Sequence, residues 1–184
     1  MSTRRTPADV VAQLRGAGRT VATAESLTGG LVCAVLTDVP GASAVVRGGV
    51  VSYATDLKVS LLGVDEDVLA APGGAVQPRV AQEMALGVTR SCSADLGVAT
   101  TGVAGPDPQD GQPVGTVFVA VALAGQAAGE VAVRALQLRG DRSEIRRDSV
   151  AEAVDLLGQV IEAVGASGWT RGAGRAEDSG RGFR

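Results

Sequence analysis

The run Thr23-Ala24-Glu25-Ser26-Leu27-Thr28-Gly29-Gly30 sets a serine at a polar corner between an apolar stretch, Thr20-Val21-Ala22, and an apolar helical segment. A strand-to-helix corner of this kind exposes a nucleophile and leaves backbone N–H groups at a helix entrance. The chain contains no histidine, so serine chemistry here has to recruit another base. Lys58 is the candidate. It is the only lysine, the other sixteen of the 17 lysine and arginine residues being arginine, and a lysine can give up a proton where an arginine cannot. A free amine titrates near 10.4, so a base working at neutral pH needs a shift of about 3 units, or roughly 4 kcal/mol. Desolvation against Val59, Leu61 and Leu62 is one source of that shift. Tyr53, the only tyrosine, lies five residues earlier, where its phenol could hydrogen-bond Ser26 or Lys58.

Each residue also has a plain structural reading. Ser26 could be a helix N-cap, Lys58 a solvated helix lysine, and Tyr53 a hydrophobic plug at a strand end. Two glycine-rich loops extend the candidate site. Thr28, Gly29 and Gly30 would let a ligand approach the backbone closely, their N–H groups cradling a phosphate or a developing oxyanion. Thr101, Gly102, Ala104 and Gly105 lie in the second loop, Thr101-Gly102-Val103-Ala104-Gly105-Pro106-Asp107. Neither loop matches a P-loop or a dinucleotide fingerprint. Arg142 follows Gly140-Asp141 at the start of the last helical segment, with Asp141 as its cap; it is either a surface arginine or a partner for a substrate phosphate. Glu25 reads as a structural acid without an assigned role.

The elements that must position these residues alternate between strand and helix. Helices are expected at about 8–15, after the Ser26 corner to about Pro40, at 56–62, 65–70, 78–92 and 141–164. Strands are expected at about 20–24, 48–53, 95–101, 114–123 and 130–138, the last two as a hairpin around Ala124-Gly125-Gln126. The expected fold is a three-layer α/β/α sandwich with a mixed, mainly parallel sheet of about five strands. In such a sheet ligands bind beyond the carboxyl ends of the strands. The Ser26 corner with Thr28-Gly29-Gly30, Ser52-Tyr53 with Lys58, and Thr101-Gly102 with Gly105-Pro106 all fall at such ends, so one crevice could hold them.

At 184 residues and 45% hydrophobic content the chain suits one domain, residues 1–164. Residues 165–184 form a Gly- and Arg-rich tail, expected to be disordered, with an arginine-mediated RNA contact as the alternative. A net charge of −3 and 2% aromatics argue against nucleic-acid binding, and no apolar run reaches bilayer length. No signal peptide is recognisable at the N-terminus, so a cytoplasmic location is expected. Cys33 and Cys92 have no metal-ligand spacing and read as small buried hydrophobes in helices. Without histidine they cannot make a normal zinc site, and neither a metal nor a cofactor is expected.

Ala24-Glu25-Ser26-Leu27-Thr28-Gly29-Gly30, Val51-Ser52-Tyr53 with Lys58, Leu62-Gly63-Val64, Gly74-Ala75-Val76, the Thr101–Asp107 loop, Pro113-Val114-Gly115-Thr116-Val117 and Gly140-Asp141-Arg142 together resemble the CinA C-terminal domain family. The resemblance covers about residues 6–164. It implies a nicotinamide-nucleotide amidohydrolase that converts nicotinamide mononucleotide to nicotinate mononucleotide and ammonia. It also implies a serine nucleophile, a lysine base and a nearby tyrosine without a metal, roles that fall on Ser26, Lys58 and Tyr53, and a homo-oligomer. Leu27 stands where many members of the family carry cysteine, and Pro108-Gln109-Asp110 replaces the double glycine common after the loop aspartate. The rival reading is a pyridine-nucleotide-binding or partner-binding module without turnover. A competence or DNA-damage scaffold rests on the family's name alone.

Overall fold

The computed structural model describes residues 4–166. Helix α1 (Pro7–Ala17) opens with a reciprocal cap. Thr6 Oγ1 accepts the Asp9 N–H, the Asp9 carboxylate accepts the Thr6 N–H, and proline fills the first turn. Strand β1 (Val21–Glu25), α2 (Leu31–Thr37), β2 (Val46–Val51), α3 (Thr55–Leu62), α4 (Glu66–Ala70) and α5 (Pro78–Ser91) follow. Then come β3 (Leu96–Gly102), β4 (Thr116–Leu123), β5 (Ala132–Gln137) and α6 (Arg142–Ala166). Strand order is β2-β1-β3-β4-β5. β1 is parallel to both β2 and β3, whereas β3–β4 and β4–β5 are antiparallel. Four strands therefore run one way and β4 runs against them, which is the expected mixed sheet.

Pleating sorts the strand residues by size. Val21, Leu96, Val98, Val117, Val119 and Val121 face α1, α2 and α6. On the opposite face Ala22, Ala24, Ala99, Ala120 and Ala122 meet α5, whose Val80, Met84 and Val88 form the expected buried stripe. Small strand residues let α5 come close to the sheet. A Cβ on Gly97 would lie 2.0 Å from the Ala85 carbonyl oxygen. A chain of ion pairs closes the outer layer: Arg134 reaches Glu152 and Asp155, and Arg5 reaches Asp155 and Glu162.

Several boundaries differ from the sequence expectation. β2 starts two residues early because a bulge at Arg47 takes up an extra residue between Val46 and Gly48, the latter at φ 144°. The β4–β5 connection is a hairpin, but it carries a 3-10 turn at Ala128–Glu130. There the Glu130 carboxylate accepts the Ala127 N–H and delays β5 to Ala132. α6 continues to Ala166, past the expected domain boundary, and the rest of the Gly/Arg tail lies outside the described residues. Cys33 is in α2, whereas Cys92 is the residue that ends α5; both are half-buried. No helix among the described residues is long and apolar enough to cross a membrane.

The contact between α5 and β3 leaves no space for a methyl group. Gly97→Ala should destabilise the fold by about 3 kcal/mol, lowering the melting temperature by about 2–4 °C per kcal/mol, as thermal unfolding would measure.

Candidate active site

Three chain segments leave the sheet side by side. The Ser26 N–H donates to Thr100 O at 3.0 Å and the Ser52 N–H to Glu25 O at 2.9 Å, so each serine lies one step beyond the carboxyl end of its strand. Beyond β3 the chain turns through Val103, whose N–H bonds Thr116 O. Between these ends lies a cavity of about 90 Å³ lined by Ser26, Tyr53, Lys58, Thr101, Gly102, Ala104, Gly105 and Arg142, among others. The crevice expected from the strand ends is thus one pocket, and it collects eight of the eleven candidate residues.

Lys58 comes from α3 and is only 1% exposed. Its Nζ donates to Ser52 O at 2.7 Å and lies 3.2 Å from Ser26 Oγ. Burial pushes the Lys58 ammonium down to about 8, against the opposing pull of the Asp110 and Asp56 carboxylates. The solvated-lysine reading is therefore wrong for Lys58. At neutral pH a useful fraction of this amine is unprotonated, and its partner is a serine hydroxyl.

Ser26 is not a cap. α2 starts at Leu31 behind Gly30, and no side chain of the preceding residue caps it. Glu25 does that work from beneath. Its carboxylate, 1% exposed, accepts the N–H groups of Gly30, Val32 and Cys33 and the Thr28 hydroxyl at 2.7–3.0 Å. The Thr28 hydroxyl is also 2.7 Å from Thr100 Oγ1.

That arrangement corrects the ligand-cradle reading for the Thr28 side chain and for Gly29 and Gly30. Thr28 is fully buried with its hydroxyl in use. The Gly29 N–H bonds Ser26 O and the Gly30 N–H bonds Glu25, so neither is available to a ligand. None of the three lines the pocket.

At the pocket mouth Tyr53 is 58% exposed. Its hydroxyl accepts from Arg142 Nη2 at 2.8 Å, and it makes no hydrogen bond to Ser26 or Lys58 among the described ones. Arg142 Nη1 donates to Gly105 O at 2.7 Å. Asp141 caps α6 as expected, accepting the Glu144 N–H. Arg142 therefore ties the Tyr53 wall to the glycine loop. The Thr101 hydroxyl likewise donates to Ala75 O at 2.7 Å and fastens another wall.

Two residues of the site had no assigned function from sequence. Asp110, in the left-handed region at φ 52°, accepts the Ala75 N–H at 3.0 Å and binds its loop to the pocket wall. Arg146 lies one helical turn beyond Arg142, and this spacing is the signal that could have linked the two. Its guanidinium donates to Leu27 O and Thr28 O, both at 3.0 Å.

Two outcomes are expected from this geometry. Glu25→Gln retains one acceptor oxygen but turns an amide NH₂ toward backbone donors, and should cost about 2–3 kcal/mol in a denaturant melt. The second concerns Lys58, whose folded pKa of about 8 lies below the ordinary lysine value of 10.5. The unfolded chain binds more protons between these values, so the Lys58 contribution to stability rises with pH across that window and is level below it. Urea melts of wild type against Lys58→Met from pH 7 to 10.5 would read this slope.

The family model for the CinA C-terminal domain matches residues 3–161. A CinA-like protein from Frankia casuarinae is 51% identical over 142 residues, which is 77% of this chain and 32% of that protein. A CinA-like protein from Mycolicibacterium gilvum is 49% identical over 81% of this chain and 35% of its own length. The chain thus spans about a third of the curated relatives it matches. Among solved structures, a competence-damaged protein (CinA) superfamily protein from Klebsiella pneumoniae superposes with a TM-score of 0.80 at 30% identity. That match covers 89% of this chain and 99% of the other. A competence/damage inducible protein from Agrobacterium tumefaciens gives a TM-score of 0.76 at 34% identity, over 88% and 99%. With sheet, corner and pocket in place and the family model matching nearly the whole described chain, this protein belongs to the CinA C-terminal domain family.

Proposed function

We propose that this protein is a serine-type amidohydrolase that cleaves the carboxamide of nicotinamide mononucleotide to nicotinate mononucleotide and ammonia. The observation that carries the reading is the 3.2 Å contact between Ser26 Oγ and the buried amine of Lys58. A serine beside a lysine of depressed pKa is an activated nucleophile. The substrate comes from the family resemblance, and the partner proposed is that small-molecule nucleotide, with a homo-oligomer as the resemblance implies. The reading takes no cofactor.

In this reading Ser26 Oγ attacks the carboxamide carbon while neutral Lys58 takes the hydroxyl proton. The tetrahedral intermediate collapses as Lys58 returns that proton to the departing nitrogen, and the C–N bond breaks to release ammonia. Water then adds to the acyl ester with Lys58 taking its proton. The ester C–O bond breaks, and Lys58 returns the proton to Ser26 Oγ as nicotinate mononucleotide leaves. Tyr53 and Arg142, joined at the mouth, hold the entrance wall where the nucleotide passes.

Purified protein should release ammonia from nicotinamide mononucleotide, and folded Ser26→Ala and Lys58→Ala variants should not. No turnover, with the nucleotide still raising the melting temperature, would favour the binding module over the enzyme. The kcat/KM profile should rise through about pH 8, where Lys58 loses its proton. Tyr53→Phe should leave that limb in place; loss of the limb would move the titration to the phenol.

A further inference from the structure

Backbone polar groups in protein interiors are normally paired. Two N–H groups beside the nucleophile depart from this. Leu27 is 4% exposed and Thr28 fully buried, and among the described hydrogen bonds neither N–H has a protein acceptor. Their neighbours all do: Ser26 donates to Thr100 O, Gly29 to Ser26 O and Gly30 to Glu25.

The carbonyls of the same peptides are held. Ser26 O accepts the Gly29 N–H. Leu27 O and Thr28 O accept from Arg146 Nε and Nη2, each at 3.0 Å. In a trans peptide the C=O and the following N–H point in opposite directions. Fixing Ser26 O therefore fixes the Leu27 N–H, and drawing Leu27 O toward α6 turns the Thr28 N–H away from α6. Leu27 itself lines the pocket. Gly29, at φ +61°, completes the fit, because a Cβ there would lie 3.3 Å from Arg146 Nη2.

We propose that the Leu27 and Thr28 N–H groups form the oxyanion hole for Ser26 chemistry, and that Arg146 is the positioning residue that aims the Thr28 N–H, while the Gly29 turn bond holds the Leu27 N–H. The proposal rests on the amidohydrolase reading. When Ser26 Oγ bonds to the carboxamide carbon, the carbonyl π pair moves onto oxygen, and the two N–H groups donate to that anion. When the C–N bond breaks, the pair returns and the hydrogen bonds weaken. Arg146 touches no reacting atom. Its guanidinium holds the Leu27–Thr28 peptide plane, which carries the Thr28 donor, before the charge develops, and this is where preorganised donors gain their effect.

The test compares wild type with Arg146→Met and Arg146→Lys, and uses pyridine-3-boronic acid as a probe that becomes a tetrahedral anion on bonding to Ser26 Oγ. Loss of oxyanion-hole alignment should lower kcat of Arg146→Met by about 10²-fold with KM within about threefold. Boronate affinity should fall with kcat, whereas affinity for the product nicotinate mononucleotide and the ascending pH limb should stay as in wild type. Arg146→Lys, which can still reach one carbonyl, should recover part of both losses. If Arg146→Met does not fold, Arg146→Lys alone should lower kcat and boronate affinity together by about tenfold.

Unchanged kcat in the folded variants overturns the proposal while the amidohydrolase reading stands. So does an equal loss of product and boronate affinity. Boronate bonding at Ser26 that depends on Arg146, in a protein releasing no ammonia from the nucleotide, supports the oxyanion hole and removes the substrate assignment. A wild type that does not bond the boronate at all overturns the hole.

Discussion

Glu25 sends its carboxylate into the protein beneath the first turn of α2, where three backbone N–H groups and the Thr28 hydroxyl converge on it. A helix start normally finds its acceptors in solvent or in a capping side chain at its entrance. Here the acceptor is the last residue of β1, so the strand and the following helix are fastened to each other by one side chain. The five residues between them have no freedom left to fray, and Ser26 is the first of these. The same contact removes the helix entrance from the list of ligand-binding surfaces. The corner is a rigid mount for a hydroxyl, braced by Glu25 below and by Arg146 from α6.

The second constraint is the division of the sheet into a small face and a large one. Alanine and glycine on the α5 side of β1, β3 and β4 draw that helix in, and α3 packs beside it with Lys58 and Leu62 buried. The eight-residue α3 can then hold a lysine stem inside the protein. Burial lowers the amine's proton affinity, and the Ser52 carbonyl fixes its direction. Packing on one side of the sheet and capping on the other thus meet at the gap between Lys58 Nζ and Ser26 Oγ.

How much of this was legible in the sequence depended on whether the signal was local. Ser26, Lys58 and the strand ends were readable because residue type, uniqueness and the alternation of strand and helix are properties of a short window. Pro78 with Val80, Met84 and Val88 gave α5 for the same reason. The function of Glu25 was hidden, since an acid beside a serine looks the same whether it faces solvent or the underside of a helix seven residues on. The Gly29-Gly30 reading failed for that reason too, because those two N–H groups were already committed to Ser26 O and to Glu25, acceptors that no spacing rule identifies. Arg146 acts across about 120 residues of chain, on carbonyl groups that carry no side-chain signature. The β2 start was missed because the expected strand began at Gly48, whereas a bulge at Arg47 lets pairing begin at Val46.

Lys58 carries the only ε-amine of the chain, and the fold has placed it where solvent reaches almost none of it. Every other cationic side chain is a guanidinium. The exterior therefore offers no lysine to acetyl donors, isocyanates or aldehydes. Side-chain amine modification, wherever it came from, has one possible address, and that address lies at the bottom of the pocket. An acylated Lys58 would lose its basicity and fill the space beside Ser26 in a single event.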